Sequence, residues 1–338
     1  MLLATMLKGM IGGDQNATLD RLLDECDART QGLEGLLQAP EGAAPRHTFT
    51  STAPPELLSM ATVSAARRLR VAPTMIRMMG ALQKSTRYYD ARFKPDGREA
   101  RPELFVELEE AARRGGAAAV RYVSLPDDSI FRGKGVPHRN VIVYAVAMRK
   151  EALDTAPSFE AFQEVARAYL RLLLLGNRLT ELLRARGHAA YPGTALGGLT
   201  DYTRLAELAG LGAIGYHGLL ITPEDGVMLR LNTIYTSIEN LPTVEAEEVG
   251  WIRDFCAMCG KCVRSCPVDA IHPRPVAQDS GRVQCIDAGV CLDYFAQNFG
   301  CAVCADVCPF TQVGYDRIRR RFKGNPTAPR YTLTTEPS

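Results

Sequence analysis

Cysteine is concentrated near the C-terminus of this 338-residue chain. Nine of the ten cysteines fall within the 53 residues from 256 to 308, and only Cys26 lies elsewhere. The first residues lack the charged leader of a secretion signal, so we expect a cytoplasmic protein. Because disulfides are disfavoured in the reducing cytosol, the concentration of thiols predicts metal binding or redox chemistry.

The intervals between these cysteines indicate which metal they bind. One Cys-x2-Cys-x2-Cys-x3-Cys-Pro run begins at Cys256, and a Cys-x2-Cys-x3-Cys-Pro run begins at Cys301. In bacterial ferredoxins, three thiolates of such a run bind one cubane and the fourth binds a second. Zinc also uses Cys-x2-Cys pairs, but a zinc site needs only four ligands. The partial repeat therefore predicts two 4Fe-4S clusters.

The predicted ligands divide into two sets of four. The first quartet comprises Cys256, Cys259, Cys262 and Cys308. The second quartet comprises Cys266, Cys291, Cys301 and Cys304. Cys285 is the alternative to Cys291 as the remote ligand. A spare cysteine is most often a small buried hydrophobe, and we interpret Cys285 and Cys26 in that way.

A glycine-rich segment at 209–226, AGLGAIGYHGLLITPEDG, is the candidate ligand-binding loop. Its glycines allow backbone to approach a ligand closely. The Gly-x-Gly-x-x-Gly pattern follows a helical stretch and opens no helix, so we do not predict nicotinamide binding. The candidate ligand contacts are Gly210, Gly212, Gly215, Tyr216, His217, Thr222 and Gly226. A structural, hydrogen-bonding role is the alternative for His217.

Apolar periodicity predicts the elements that position these residues. Helices are predicted over about 1–37, 73–83, 103–114, 159–186 and 203–209, and strands over 117–125, 141–148, 219–221 and 227–235. Their alternation predicts an α/β (α+β) fold with 141–148 as a buried central strand. We expect a helical extension over 1–90 with a linker near 38–55, an α/β domain over 91–250, a cysteine module over 251–315 and a basic tail over 316–338.

Composition bounds the partners. Hydrophobic residues are 46% and charged residues 23%, which is typical of a globular protein and argues against extensive disorder. The net charge of +2 does not predict nucleic-acid binding. The longest leucine run, Leu172 to Leu175, is far shorter than the roughly 20 apolar residues of a spanning helix. We therefore expect neither nucleic acid nor a membrane as a partner.

Four segments in order resemble reductive dehalogenases and the related epoxyqueuosine reductases: AGLGAIGYHGLLITPEDG, VMLRLNTIYT, FCAMCGKCVRSCPVDAI and CLDYFAQNFGCAVCADVCPF. The likeness covers about residues 135 to 315. It implies a nitroreductase-like domain that binds cobalamin and a ferredoxin-like module whose two clusters reduce cobalt to Co(I). Such an oxidoreductase cleaves a carbon–halogen or activated carbon–oxygen bond of a small molecule. It takes electrons from a reduced ferredoxin or flavodoxin-type donor.

The resemblance also implies site residues. The spacing after Cys291 is closer to the dehalogenases, which favours Cys291 as the remote ligand. Dehalogenases use a tyrosine as proton donor with a basic residue assisting, and the matching positions are Tyr169 and Arg230. Epoxyqueuosine reductases carry an acid where this chain has Leu196.

Some alternatives stay open. Asp201 and Tyr202 are other candidate proton donors, and Tyr169 could be a core aromatic residue. The basic run at 317–321 is either a solvated helix face or a docking surface for an acidic donor. The alternative function is electron transfer or corrinoid handling without small-molecule turnover.

Overall fold

The computed structural model describes residues 15–46, 63–90, 92, 97–244, 250–278 and 282–322. The first elements are α1 (Gln15–Gln31), β1 (Leu37–Gln38), α2 (Ala65–Arg87), α3 (Pro102–Arg114), β2 (Ala119–Ser124), β3 (Gly135–Val136), β4 (Asn140–Ala147) and α4 (Lys150–Leu153). They are followed by α5 (Phe159–Ala185), β5 (Ala190–Pro192), α6 (Tyr202–Leu208), β6 (Ala213–Ile214), β7 (Leu220–Ile221) and β8 (Leu229–Thr236). The last are α7 (Gly250–Cys259), α8 (Lys261–Arg264), β9 (Ile271–Ala277), β10 (Val283–Ile286), α9 (Ala288–Gln297), α10 (Val303–Asp306), α11 (Pro309–Gln312) and α12 (Tyr315–Phe322).

A four-stranded antiparallel sheet, in the order β2, β4, β8, β5, organises the residues before 244. The pairing of β4 with β8 runs from Asn140 opposite Thr236 to Ala147 opposite Leu229. Residues 141–146 are fully buried, which agrees with the predicted central strand. The predicted mixed α/β class is confirmed. Continuous apolar strands are more usual in parallel sheets, and here a strand with both faces covered occurs in an antiparallel sheet.

The long helix α5 covers one face of the sheet. Its first turn is capped by Ser158, whose hydroxyl accepts a hydrogen bond from Ala161 N–H. The close approach of helix to sheet requires Gly176, because a Cβ there would lie 2.1 Å from Tyr144 Oη. That hydroxyl bonds to Leu172 O at 3.1 Å. A glycine in mid-helix is thus explained by packing.

Helices α1 and α2 pack into the same core. Leu22 and Leu23 of α1, and Met78 and Leu82 of α2, belong to one buried cluster with the inner side of α5. The helix of α2 is longer than predicted, and Gln38 forms part of a short strand instead of a linker. Residues 47–62, which include half of the predicted linker, lie outside the described residues. The division at residue 90 stays a prediction.

The predicted cysteine module, together with helix α12 of the predicted basic tail, shares an apolar cluster with the glycine-rich loop. Trp251, Phe310 and Tyr315 pack with Tyr216 and Ile221 in this cluster. Helix α12 contributes its buried face and exposes its arginines. The remainder of the predicted basic tail, from 323, lies outside the described residues. Within the described ranges, no helix combines the length and apolarity that crossing a bilayer needs.

Candidate iron-sulfur and catalytic site

The first quartet borders one cavity. Its four cysteines, together with His217, Phe255, Gly260, Pro309 and Phe310, line a space of about 270 Å³. Gly260, in the left-handed region with φ 53°, lets the chain turn between α7 and α8. A cubane holds its ligand sulfurs apart because each binds a different iron. Four thiols arranged around a cavity fit such a group.

Burial dominates the electrostatics of Cys256, Cys262 and Cys308. It raises the pKa of Cys262 to about 11 and that of Cys308 to about 12, and neighbouring thiols raise both further. Burial also raises the pKa of Cys256, against which a backbone hydrogen bond from Tyr216 acts. These three thiols are therefore protonated without iron, and cluster assembly must release their protons.

The second quartet also comes together. Burial raises the pKa of Cys291 to about 11, with further increases from Cys301 and Cys266. Burial also raises the pKa of Cys304, and Cys301 and Cys291 raise it further. All four cysteines are half-buried. Among the described residues, no three His, Cys, Asp or Glu side chains gather closely enough to hold a single metal ion.

A strained loop presents Cys301. Phe299, Gly300, Cys301 and Ala302 have φ values of 51°, 79°, 39° and 72°. Left-handed conformations cost about 1–3 kcal/mol at non-glycine residues and persist where the surroundings over-determine them. The sequence offered only Gly300 as a signal for this bend.

Cys285 lies apart from the second quartet. Its side chain is buried, and Sγ lies 3.5 Å from Gly215 O in the glycine-rich loop. Burial raises its pKa to about 12. The structure thus groups Cys291, and not Cys285, with the other three thiols. Cys26 is buried in the sheet region. The ligand assignment itself stays a prediction.

The glycines of the loop are in contact with the protein itself. A Cβ at Gly212 would lie 2.0 Å from Ile221 O, and one at Gly226 would lie 2.9 Å from Phe310 O. Gly210 has φ 74° directly after α6. Close packing therefore accounts for Gly212 and Gly226, and left-handed backbone accounts for Gly210. Their predicted contact with a cofactor stays a prediction.

Thr222 and Tyr216 are buried in the same loop. The Thr222 hydroxyl accepts a hydrogen bond from Asp225 N–H at 3.3 Å, which closes the turn before β8. Tyr216 packs in the apolar cluster shared with the cysteine module. Both residues hold the loop against the module, and ligand contact by either one stays a prediction.

His217 faces the cavity of the first quartet. It is only 4% exposed, and burial lowers its pKa to about 4, so its imidazole is neutral. Its Nδ1 accepts a hydrogen bond from Leu219 N–H at 3.1 Å. Its buried Nε2 has no hydrogen-bond partner among the described residues.

The two predicted catalytic residues are neighbours. Cζ of Arg230, on β8, lies 5.6 Å from the ring centroid of Tyr169, on α5. Both side chains are half-buried. Arg230 Nη1 bonds to Leu229 O at 3.4 Å, whereas the buried Nε has no partner in the described part of the chain. A cation above a phenol ring, with one donor unused, is suited to a polar or anionic group.

Of the two alternative proton donors, Asp201 is engaged elsewhere. Asp201 caps α6 and forms an ion pair with Arg282 at 2.6 Å. Burial raises the pKa of Tyr202 to about 12, and its buried Oη has no hydrogen-bond partner among the described residues. A Cβ at Gly193 would lie 2.4 Å from its Oη. Leu196 is buried in the main core.

Sequence reasoning missed the meeting of the glycine-rich loop with the cysteine module. Phe255 and Phe310 line the cavity beside the first quartet, and Val227 N–H donates to Thr311 Oγ1 at 3.3 Å across the junction. The aromatic residues flanking Cys256 and Cys308 were the available signal. The partners of each aromatic residue depend on the fold and are not local in sequence.

Comparison with known proteins agrees with this geometry. Residues 255–312 match the family described as a 4Fe-4S dicluster domain. The chain is 35% identical over 183 residues to a tetrachloroethene reductive dehalogenase of Sulfurospirillum multivorans, covering 51% of this chain and 36% of that protein. It is 36% identical over 113 residues to an epoxyqueuosine reductase of Synechococcus sp. (strain RCC307), covering 32% and 33%. The chain thus spans about a third of the length of these curated relatives.

The fold has a solved counterpart. A reductive dehalogenase, whose structure suggests a mechanism for B12-dependent dehalogenation, aligns with a TM-score of 0.60 at 18% identity. The alignment covers 76% of this chain and 40% of that one. The predicted resemblance is confirmed: the homologues of this chain are reductive dehalogenases and epoxyqueuosine reductases, with the dehalogenase matches stronger, and its C-terminal region contains a 4Fe-4S dicluster domain.

Proposed function

We propose that this chain is a cobalamin-dependent iron-sulfur oxidoreductase that reductively cleaves a carbon–halogen bond of a small molecule. The observation that carries the proposal is the pairing of Tyr169 with Arg230, whose buried Nε is unused. The two cubanes of a dicluster domain supply single electrons to such a site. The relatives named tetrachloroethene reductive dehalogenase support the organohalide class of substrate.

The residues present fit cobalamin at the Tyr169–Arg230 end of the site. An unpaired, buried Nε beside a half-buried phenol calls for a polar partner, and the carboxamide side chains of a corrinoid and its substrates offer such partners. Cobalamin, when bound and reduced by the clusters, supplies the electron pair that breaks the carbon–halogen bond. The glycine-rich loop packs against the cysteine module in a separate apolar cluster.

The reaction balances as R–X + 2 e⁻ + H⁺ → R–H + X⁻, so the chain must supply one proton and two electrons. We propose that Tyr169 Oη gives the proton to the substrate carbon. The Arg230 guanidinium, 5.6 Å from the centre of the ring, stabilises the phenolate that remains. The electrons arrive one at a time through the two clusters.

The electron donor is, on this proposal, an acidic protein of the ferredoxin or flavodoxin type. Helix α12 exposes Arg317, Arg319, Arg320 and Arg321 and buries Tyr315, Ile318 and Phe322 against the cysteine module. A basic surface of this kind attracts an acidic partner and speeds association. Since its thiols require reducing conditions, we place the protein in the cytoplasm.

Reduction of epoxyqueuosine is the less favoured reaction. At the position where its relatives carry an acid, this chain has Leu196, which is buried and cannot transfer a proton. Asp201 does not replace that acid, because its carboxylate caps α6 and pairs with Arg282.

The test is turnover by the full chain, prepared anaerobically with cobalamin. Iron, sulfide and cobalt contents are measured together with halide release from an organohalide and a chemical reductant. Tyr169→Phe should lower the rate about 100-fold or more, the usual contribution of a general acid, with metal contents unchanged. Tyr122→Phe is the matched control, because its hydroxyl bonds to Glu109 on the outside of the sheet region.

A second pair of variants tests the basic residue. Arg230→Gln should slow turnover at least about tenfold, whereas Arg121→Gln on β2 should not, although Arg121 also donates to the carbonyl of its preceding residue. Equal rates for Tyr169→Phe and Tyr122→Phe would contradict the assigned proton donor. Full clusters without stoichiometric cobalamin would favour electron transfer. Bound and reduced cobalamin without product would favour corrinoid handling.

A further inference from the structure

His217 has a buried hydrogen-bond donor that the proposed reaction does not use. The side chain is 4% exposed, and its ring lines the cavity of the first quartet. Nδ1 accepts Leu219 N–H at 3.1 Å, so it must carry a lone pair. In a neutral imidazole the proton is then on Nε2. That N–H has no partner among the described residues, although buried polar groups are normally hydrogen-bonded.

The loop fixes the direction of this ring. Gly218 N–H bonds to Gly215 O at 2.9 Å, and Gly215 N–H bonds to Leu219 O at 3.0 Å, which forms a tight turn around His217. A Cβ at Gly215 would lie 2.9 Å from Cε1 of the imidazole. The ring therefore packs directly on the Gly215 backbone. Its rotation is restricted on one side by that backbone and on the other by the bond to Leu219.

The same turn already contacts one ligand sulfur. The backbone of Tyr216 hydrogen-bonds to Cys256 and lowers the pKa of that thiol against the larger effect of burial. The turn thus brings two neighbouring donors to one cavity: a backbone N–H that is bonded to sulfur and an imidazole N–H that is unpaired. Both come from the glycine-rich loop and not from the cysteine module.

We infer that His217 Nε2–H donates a hydrogen bond to a sulfur of the first cluster and raises the reduction potential of that cluster. Reduction adds negative charge to the cluster and its sulfurs, so a fixed donor stabilises the reduced form more than the oxidised form. One electron enters the cluster, and the proton stays on Nε2. His217 is therefore a positioning residue in the electron path. The inference depends on the clusters and not on organohalide turnover.

The test is a redox titration of both clusters, followed by electron paramagnetic resonance, on the full chain with iron and sulfide contents verified. His217→Asn keeps an acceptor for Leu219 N–H but has no atom in place of Nε2. His217→Gln places an amide N–H near the position of Nε2. His272→Asn, a half-buried histidine on β9 of the same module, is the matched control.

We expect His217→Asn to lower the reduced-to-oxidised ratio of one cluster about tenfold at a fixed potential, which is about 59 mV for one electron. The reduction potential of the other cluster should stay unchanged, and His217→Gln should recover most of the shift. Unchanged potentials in His217→Asn, equal shifts of both clusters, or equal shifts in the Asn and Gln variants would each overturn the inference.

If His217→Asn assembles no cluster, a spectroscopic measurement on the unmodified protein still tests the hydrogen bond. Protein labelled with ¹⁵N-histidine and reduced should show coupling of one histidine nitrogen and one exchangeable proton to a cluster. Labelled His217→Gln protein should lack the nitrogen coupling and keep the proton coupling. Absence of nitrogen coupling in the unmodified protein would refute the hydrogen bond, whatever the outcome for dehalogenation.

Discussion

The two quartets of cysteines lie in different surroundings. In the first, Cys256, Cys262 and Cys308 are buried and share an apolar cluster with Tyr216 and Ile221 of the sheet region. In the second, all four cysteines are half-buried, and the neighbouring helix α9 has no fully buried residue. The sheet region therefore encloses the first cluster site, whereas the second quartet contributes only partly buried residues, Cys266 and Cys304, to the edge of the same apolar cluster.

The unequal burial of the two quartets predicts different roles for the protein around the two cluster sites. A buried site excludes water, so nearby donors such as Tyr216 N–H and His217 act strongly on its charge. The half-buried second quartet depends more on the iron-sulfur cluster for its order, because its cysteines lie at the edge of the apolar cluster and not inside it. We therefore expect the junction with the sheet region to depend more on the first cluster than on the second.

Removal of one ligand from each quartet is the strongest test of this comparison. Cys256→Ala and Cys304→Ala should each reduce iron from about eight to about four atoms per chain. Cys256→Ala should expose the apolar junction more than Cys304→Ala does, because Cys256 is a buried member of the junction cluster with Trp251, whereas Cys304 packs half-buried at its edge. Hydrogen exchange of β6 and β7 measures that exposure.

Cys285→Ala is the matched control for both ligand variants. Cys285 is buried, and its Sγ contacts Gly215 O. Its loss should keep about eight iron atoms and cost only the modest amount of a small core truncation. Loss of iron in Cys285→Ala with retention in Cys291→Ala would reverse the predicted remote ligand.

A smaller effect is expected from a methyl group placed in the junction. Gly226 has φ 57°, and the Cβ of Gly226→Ala would lie 2.9 Å from Phe310 O. Gly133 has φ 69°, and the Cβ of Gly133→Ala would have no atom within 4 Å. Both variants carry the backbone strain. The extra destabilisation of Gly226→Ala, about 1–3 kcal/mol from overpacking, measures the junction contact. Equal denaturation midpoints for the two variants would show that the junction accommodates the added methyl group without destabilisation.

Local sequence patterns predict single elements and the grouping of the cysteines better than they predict contacts between distant segments. The buried strand at 141–148, the helix from Phe159 and the grouping of the cysteines all follow from spacing along the chain. The antiparallel order of the sheet does not, because pairing of β4 with β8 joins residues about 90 apart. The same holds for the meeting of Tyr169 with Arg230, which only the helix-to-sheet packing decides.

The composition of the glycine-rich loop predicts close approach of its backbone to a ligand. Gly212, Gly215 and Gly226 instead lie close to atoms of the protein. Composition indicates that backbone is approached closely but does not identify the partner. The direction of His217 was likewise beyond sequence reasoning, since it depends on a single hydrogen bond to Leu219 N–H.

The sheet region should respond to acid independently of the clusters. Burial, followed by the charge of Arg98, lowers the pKa of His138 from 6.5 to about 4. The unfolded chain then binds this proton at higher pH than the folded chain, so stability is full above about pH 6.5 and falls as the pH drops toward 4. Partial exposure limits the loss to roughly 1–2 kcal/mol.

His138→Gln measures that loss. The free energy of unfolding of the sheet region, followed by hydrogen exchange in β4, should fall less between pH 6.5 and pH 4 in the variant than in the unmodified protein. The same difference should appear in Cys304→Ala, which keeps the sheet region intact. A His138→Gln variant with an unchanged pH slope would place the acid sensitivity elsewhere.

The smallest structural effect is expected from charges on α12. Because Arg319 and Arg320 are exposed, the double variant Arg319→Glu, Arg320→Glu should change stability by less than about 0.5 kcal/mol. It should slow reduction of the clusters by an acidic donor about tenfold at low salt, since rim charges act mainly on association. Above the salt concentration that screens exposed charges, the difference should vanish.

Arg113→Glu on α3 is the control, because Arg113 is also an exposed arginine but lies on a helix of the sheet region. Equal slowing by Arg113→Glu and by the double variant would show that net charge, and not the α12 surface, attracts the donor.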